Sequence, residues 1–194
     1  QFGLSDKSGV EISESAPKVS DFDAIRSAIG QGTNNYSTVG LARYVTTVAN
    51  SGNCYNLSLL SKATDADGNL IADYTPTLRN TVDLKQSTWD AIHQGMRKVV
   101  EDKDYYKDLT IQVAGKTGTA QENRKRANHA LFVCYAPYEQ PQIAIATRIA
   151  FGYASDYAAQ VTKDIVKYYF KLEDESSLIT GTAESTNMVQ SAGD

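Results

Sequence analysis

The sequence contains little cysteine and little histidine. Its 194 residues include only Cys54, Cys134, His93 and His129. The two cysteines have neither the spacing of metal ligands nor the pattern of a disulfide framework, and Cys134 lies in an apolar stretch typical of a small buried side chain. Neither histidine has a neighbouring set of Cys, Asp or Glu ligands at a suitable spacing. The sequence therefore implies no metal and no cofactor.

Long apolar runs and an excess of positive charge are also missing. No run reaches the roughly 18 apolar residues of a membrane span, and the chain does not open with a signal peptide. The net charge is -4, from 19 Lys and Arg against 23 Asp and Glu, which argues against nucleic acid as the main partner. With 41% hydrophobic and 22% charged residues, the composition is that of a soluble globular domain or a large piece of one.

Three helices are predicted from apolar residues recurring at steps of three and four. The first begins at Ser37 or Thr38 and is closed by Gly52. The second is about 14 residues long and opens on the capping box Ser87-Thr88-Trp89-Asp90. The third begins at Ser155. The apolar positions are Leu41, Val45, Val48 and Ala49 in the first, Trp89, Ile92, Met96 and Val99 in the second, and Ala158, Val161, Ile165 and Tyr168 in the third.

Three strands are predicted at residues 111–121, 130–136 and 142–150. Only residues 137–141 separate the last two, and so short a connection favours an antiparallel hairpin. The predicted fold class is α/β of the α+β type, an antiparallel sheet flanked by helices. Residues 53–86 are predicted to be irregular or a hairpin around Asp67-Gly68. We interpret residues 1–170 as domain and the polar residues 171–194 as a flexible tail.

The sequence Lys116-Thr117-Gly118-Thr119 places a cation, two hydroxyls and a glycine on one extended run. This combination suits a carboxylate bound beside a reacting carbonyl, because ammonium, hydroxyl and backbone N–H groups all stabilise anions. A phosphate-binding loop is excluded, since Thr110 stands where that motif needs a glycine. An edge strand with a solvated lysine remains the plain alternative. The basic residues Arg124-Lys125-Arg126 that follow are a solvated hairpin tip or a weak attractant for acidic substrate.

The order of short motifs resembles the C-terminal part of a class B penicillin-binding protein transpeptidase domain, over about residues 1–170. The matching stretches are Phe2-Gly3-Leu4, Ser8-Gly9-Val10-Glu11-Ile12, Glu14, Ala28-Ile29-Gly30-Gln31-Gly32, Asn35-Tyr36-Ser37-Thr38, Ala49-Asn50-Ser51-Gly52, Lys116-Thr117-Gly118-Thr119-Ala120-Gln121 and Asn128-His129-Ala130-Leu131-Phe132-Val133. The joint order is far more specific than any one motif. Gly30 and Gly32 are interpreted as a structural turn near the site.

The resemblance implies a peptidoglycan D,D-transpeptidase that cross-links stem peptides by serine acyl transfer and binds β-lactam antibiotics. Lys116 would be the catalytic cation, and Thr117, Gly118 and Thr119 would bind substrate. The hydroxyls would hold the substrate carboxylate, the Thr119 N–H would form half of the oxyanion hole, and Gly118 would leave room for a peptide lying along the strand.

The family's nucleophile motif Ser-x-x-Lys and its Ser-x-Asn motif are not found in their expected order. Ser15-Ala16-Pro17-Lys18 fits the first literally, but Pro17 disfavours the helical turn that would join serine to lysine. We therefore expect a fragment that is inactive alone and lacks the N-terminal half of its domain. The parent is expected to be membrane-anchored on the outer face of a bacterium. Apolar helix faces left uncovered would favour self-association.

Two other functions fit the same residues. One is a non-catalytic sensor of peptidoglycan or β-lactams. The other is a β-lactamase similar to class D, which shares the Lys-Thr-Gly strand.

Overall fold

The computed structural model describes residues 1–20, 22–122 and 124–179. The helices are α1 Ala24–Ala28, α2 Thr38–Ala49, α3 Gln86–Glu101, α4 Ser155–Tyr169 and α5 Glu175–Leu178, with a 3₁₀ turn at Asp104–Tyr106. The strands are β1 Asn53–Tyr55, β2 Lys62–Thr64, β3 Leu70–Asp73, β4 Leu78–Thr81, β5 Ala114–Ala120, β6 His129–Ala136 and β7 Ile143–Ile149.

The centre of the fold is an antiparallel three-stranded sheet in the order β5-β6-β7. β5 pairs with β6 from Ala114 opposite Tyr135 to Ala120 opposite His129, and β6 pairs with β7. The predicted fold class is confirmed, because helices pack on an antiparallel sheet made of all three predicted strands. Side chains alternate across a strand, so the central strand β6 sends Phe132 and Cys134 into one core, and Tyr135 into the other.

Helix α2 packs on one face of this sheet. Ser37 is its N-cap, with a side-chain oxygen that accepts from the Gly40 N–H at 3.1 Å. Val45 is fully buried against Ala114 and Tyr135. The start and the apolar spacing of this helix follow the prediction.

Helix α3 begins two residues earlier than its capping box predicts. The chain is already helical at Ser87, because the N–H groups of Thr88 and Trp89 both donate to the Lys85 carbonyl, at 2.8 and 3.2 Å. Lys85 is the N-cap and makes no side-chain capping bond. The predicted capping role of Ser87 is therefore wrong, although Trp89 is buried as expected of a core anchor.

Helix α4 packs on the other face through small residues. Its buried positions are Ala158, Ala159, Thr162 and Val166. Of the predicted apolar face only Ala158 is buried, since Val161, Ile165 and Tyr168 are exposed. The helix has two apolar stripes, and the stripe of smaller side chains allows the closer approach to the sheet.

Residues 1–20, here called the N-terminal segment, are held by two charged side chains. Arg43 is 1% exposed, and its guanidinium donates to the carbonyls of Gly3, Asp6 and Ser8. The Glu14 carboxylate accepts from the Ser8 N–H and hydroxyl, both at 2.8 Å, and from the Ser37 hydroxyl at 2.7 Å. The segment is therefore attached to α2 by these polar bonds, and the Phe2 ring adds aromatic contacts with Tyr44 and Trp89, at centroid distances of 5.6 and 6.2 Å.

Two small antiparallel pairs, β1 with β4 and β2 with β3, occupy the predicted hairpin region. The β2–β3 turn is built on Asp65, whose carboxylate accepts from the N–H groups of Asp67 and Asn69. The predicted tail falls partly on α5, and residues 180–194 lie outside the described residues. Among the described helices, none has the length and apolar character needed to cross a bilayer.

Candidate active site

Strand β5 carries all four residues predicted for the site. β6 pairs with it on one side, and no strand in the described part of the chain pairs on the other. Alternation puts Lys116 and Gly118 on one face and Thr117 and Thr119 on the opposite face. The backbone between them therefore presents an open edge flanked by the predicted substrate-binding side chains.

The Lys116 side chain bends over this open edge. Its ammonium donates to the Thr117 carbonyl at 2.9 Å and lies 3.5 Å from the Thr117 hydroxyl. Lys116 is exposed, and Thr117 is half-buried. The structure therefore brings a cation and a hydroxyl together at the edge, which is the arrangement a carboxylate requires.

The two glycines of β5 serve different needs. A Cβ on Gly115 would lie 2.4 Å from the Phe132 ring and 2.9 Å from the Val133 carbonyl oxygen, so internal packing excludes a side chain there. A Cβ on Gly118 would meet only the Leu131 Cβ, at 3.5 Å. Nothing within the described chain requires a glycine at 118, and a bulky side chain there would matter only to a molecule approaching the edge.

A cleft of about 680 Å³ opens at the Thr119 end of β5. It is bounded by the 26–32 turn on one side and by the β5–β6 loop on the other. Of the basic cluster, Arg124 lines this cleft, whereas the Arg126 guanidinium lies over the Phe151 ring, 5.1 Å from its centroid. The lining residues are Arg26, Ile29, Gln31, Gly32, Thr119, Gln121, Glu122, Arg124 and Asn128.

Gln31 was not singled out by the sequence except within its motif, yet it reaches the strand. Its side-chain amide donates to the Thr119 carbonyl at 3.0 Å, across 88 positions of the chain. The Ile-Gly-Gln-Gly motif was the only sequence signal for this contact.

His129 braces the β5–β6 loop beside the cleft. The Phe151 N–H donates to its Nδ1 at 3.1 Å, so the ring proton is assigned to Nε2, which lies 2.8 Å from the Glu122 carboxylate. The side chain is buried. Its role here is structural, and no three His, Cys, Asp or Glu side chains in the described ranges converge as metal ligands.

Cys134 and the Ser15-x-x-Lys18 stretch lie apart from the site. Cys134 is buried within the core, and burial raises the pKa of its thiol, so the sulfur is held in its unreactive protonated form. Ser15 is exposed in extended chain, and Lys18 is tied to Asn35 by two backbone hydrogen bonds of 2.8 Å. The helical turn that would bring Ser15 and Lys18 together is not formed.

Residues 1–168 match the model of the penicillin binding protein transpeptidase domain. The chain belongs to this family. Penicillin-binding protein 2B of Streptococcus pneumoniae is 27% identical over 195 residues, which cover 88% of this chain and 28% of that protein. The peptidoglycan D,D-transpeptidase MrdA of Haemophilus influenzae is 30% identical over 169 residues, covering 76% of this chain and 26% of that protein.

Solved structures of the same family show the same fold. The structure of penicillin-binding protein 2B from Streptococcus pneumoniae strain R6 has a TM-score of 0.76 and 27% identity, and covers 89% of this chain and 31% of that one. An imipenem acyl-enzyme complex of penicillin-binding protein A from M. tuberculosis has a TM-score of 0.77 at 19% identity, and covers 87% of this chain and 40% of that one. The chain thus spans less than half the length of these relatives.

Proposed function

We propose that this chain forms the substrate-binding wall of a bacterial peptidoglycan D,D-transpeptidase, which cross-links stem peptides by serine acyl transfer and is acylated by penicillin. The observation that carries the proposal is the open edge of β5, where the Lys116 ammonium lies 2.9 Å from the Thr117 carbonyl beside an exposed Thr119. Relatives named as penicillin-binding proteins and D,D-transpeptidases support it.

Each residue of β5 has a distinct part in this chemistry. The Lys116 charge attracts the carboxylate of a peptide ending in D-alanyl-D-alanine, and the Thr117 and Thr119 hydroxyls donate to it. The Thr119 N–H forms one half of an oxyanion hole, which stabilises the charge that develops when serine attacks the scissile carbonyl. Gly118 lets the peptide approach as an added strand.

The other half of the oxyanion hole and the nucleophile belong to the Ser-x-x-Lys segment of the complete domain. We propose that the N-terminal half of that domain supplies them and that this chain is inactive alone. The parent is proposed to be membrane-anchored with this domain on the outer face of the cell, where peptidoglycan lies.

Labelling with fluorescent penicillin tests the proposal. The isolated chain should give no labelled band on denaturing electrophoresis, and the full-length protein that carries it should give one. Lys116→Ala in the full-length protein should slow labelling about 100-fold or more, which is the scale of losing one strong electrostatic contact in a transition state.

Lys62→Ala is the matched control, because Lys62 is an exposed lysine on β2 and should label at the parental rate. A labelled band from the isolated chain would contradict the fragment proposal. Rapid loss of label from the full-length protein would indicate a β-lactamase, and label without cross-linking of peptide would indicate a sensor.

A further inference from the structure

The backbone groups that face the open edge of β5 can be identified from their partners. The Thr117 carbonyl accepts from the Lys116 ammonium at 2.9 Å and the Thr119 carbonyl accepts from the Gln31 amide at 3.0 Å, so neither carbonyl points to β6. In an antiparallel strand the N–H and C=O of one residue point the same way and successive residues alternate. Residues of odd number therefore point away from β6, and Thr117 and Thr119 present both backbone groups to the open edge.

Side chains of the protein itself occupy both of these carbonyls. The Lys116 ammonium binds the Thr117 oxygen, and the Gln31 amide binds the Thr119 oxygen. In the absence of a ligand, Gln31 thus stands where the N–H of a pairing strand would lie.

Gln31 is presented from a fixed turn. Its own N–H donates to the Arg26 carbonyl at 2.9 Å, and its carbonyl accepts from the Asn34 side chain at 3.2 Å. Gly30 and Gly32 on either side have φ values of 73° and 91°, a conformation that strongly favours glycine. The backbone of Gln31 is therefore held at both ends, and its side chain is the part that can move.

A peptide added to β5 needs the hydrogen-bond acceptor that Gln31 occupies, the Thr119 carbonyl. If the scissile carbonyl of the penultimate residue accepts from the Thr119 N–H, as the proposed function requires, the N–H of that same residue must donate to the Thr119 carbonyl, because paired antiparallel residues exchange both bonds.

We infer that Gln31 competes with the ligand for the Thr119 carbonyl, which it holds in the free protein and releases to the N–H of the ligand's penultimate residue. This inference rests on the proposed function. A ligand without that N–H gains nothing by displacing Gln31 and leaves the amide bond to Thr119 in place.

NMR titration of the isotope-labelled chain tests this with two ligands. One is diacetyl-L-lysyl-D-alanyl-D-alanine, and the other is the same molecule with oxygen in place of the penultimate alanine nitrogen. The affinity of the amide ligand, divided by that of the ester, should rise about threefold to tenfold in Gln31→Ala. Only the amide ligand has to break the hydrogen bond between Gln31 and Thr119, and the variant has no such bond to break. In the wild-type chain a scalar coupling between the Gln31 side-chain nitrogen and the Thr119 carbonyl carbon should vanish on saturation with the amide ligand and persist with the ester.

Gln31→Asn, whose shorter amide cannot reach Thr119, should repeat the Gln31→Ala result, and Gln160→Ala on the exposed side of α4 should leave the ratio unchanged. An unchanged ratio in both Gln31 variants, or a coupling that survives saturation with the amide ligand, would overturn the inference while leaving the proposed function standing. Failure of the wild-type chain to distinguish the D-alanyl-D-alanine ligand from its L-alanyl-L-alanine isomer would overturn the proposed function, and this inference with it.

Discussion

The central sheet and the N-terminal segment are held in place by different physical effects. The sheet buries apolar side chains such as Phe132, Cys134 and Val166, and each contributes in proportion to the apolar area removed from water. The N-terminal segment buries Gly3 and Ser8, and depends on bonds that converge on Arg43 and Glu14. We therefore expect loss of a buried apolar side chain to lower the stability of the whole sheet, and loss of Arg43 or Glu14 to loosen the N-terminal segment first.

The largest effect on the sheet is expected from Phe132→Ala. Phe132 is fully buried and contacts Gly115 and Tyr106, so truncation leaves a cavity that costs about 3–5 kcal/mol of unfolding free energy. Urea denaturation measures this cost. Phe22→Ala, at a side chain 74% exposed, should change it by less than about 0.5 kcal/mol. A small loss at Phe132 would show that apolar burial is not what holds the sheet.

Arg43→Met tests the attachment of the N-terminal segment. The carbonyls of Gly3, Asp6 and Ser8 lose their partner, and the bonds to Gly3 and Ser8 are buried. The loss should cost about 2–4 kcal/mol of the free energy that holds the segment. The effect should be confined to the N-terminal segment, so hydrogen exchange should accelerate at residues 3–9 and stay slow in β6. Arg79→Met is the matched control, because Arg79 pairs with the same Asp6 at the surface and should cost less than about 1 kcal/mol. Equal acceleration in β6 and the segment would refute independent detachment.

The attachment through Glu14 should depend on pH. Burial opposes ionisation of this carboxyl, but the hydrogen bonds from Ser37 and Ser8, together with the Arg43 charge, hold its pKa below the usual glutamate value. A lowered folded-state pKa gives stability that is complete above the unfolded pKa of about 4.3 and is lost as the pH falls through the folded value.

Exchange at Ser8 should therefore be constant at neutral pH, after correction for its intrinsic rate, and accelerate below about pH 4. In Glu14→Gln, hydrogen exchange of the Ser8 amide should be faster at neutral pH, and its rate should depend less on pH. A profile identical in both proteins would assign the acid sensitivity to other carboxyls.

The smallest change in unfolding free energy is expected from a substitution on the outer face of α4. Val161 is 45% exposed, so Val161→Glu should alter the unfolding free energy by no more than about 0.5 kcal/mol. It should nevertheless weaken the proposed self-association, because Tyr157, Ile165 and Tyr168 are exposed on the same helix. Size-exclusion chromatography against concentration measures this, with Gln160→Ala as control. A wild-type chain that stays monomeric at all concentrations would contradict the proposal.

The parts of the fold that the sequence predicted are those governed by local periodicity. The three sheet strands and α2 follow from alternation and from three-to-four spacing, which report local geometry directly. Helix α4 was located correctly, but its packing face was not. Either of two apolar stripes on this helix could face the sheet. The helix buries Ala159 and Thr162 rather than Val161 and Ile165, because the smaller side chains let it pack closer, and the spacing of apolar residues does not reveal this.

The sequence also predicted the strand that contains Lys116-Thr117-Gly118-Thr119, and the substrate-binding role of these residues stays a prediction. The contact of Gln31 with Thr119 was not predicted, since no local pattern records which loop reaches which edge across 88 positions. Burial of Arg43 was equally hidden. An arginine within a helical pattern is normally solvated, and its partners here are backbone carbonyls, which carry no signature in side-chain type.

The occupied edge of β5 has a consequence for the solubility of the protein. A strand edge that can receive one peptide can also receive a strand of another protein, which is how edge strands nucleate aggregation. Because Lys116 and Gln31 already occupy the Thr117 and Thr119 carbonyls, an unrelated strand would have to displace both side chains, without the terminal carboxylate that the proposed ligand offers to Lys116. The same two side chains would thus keep the binding edge soluble between encounters with its ligand.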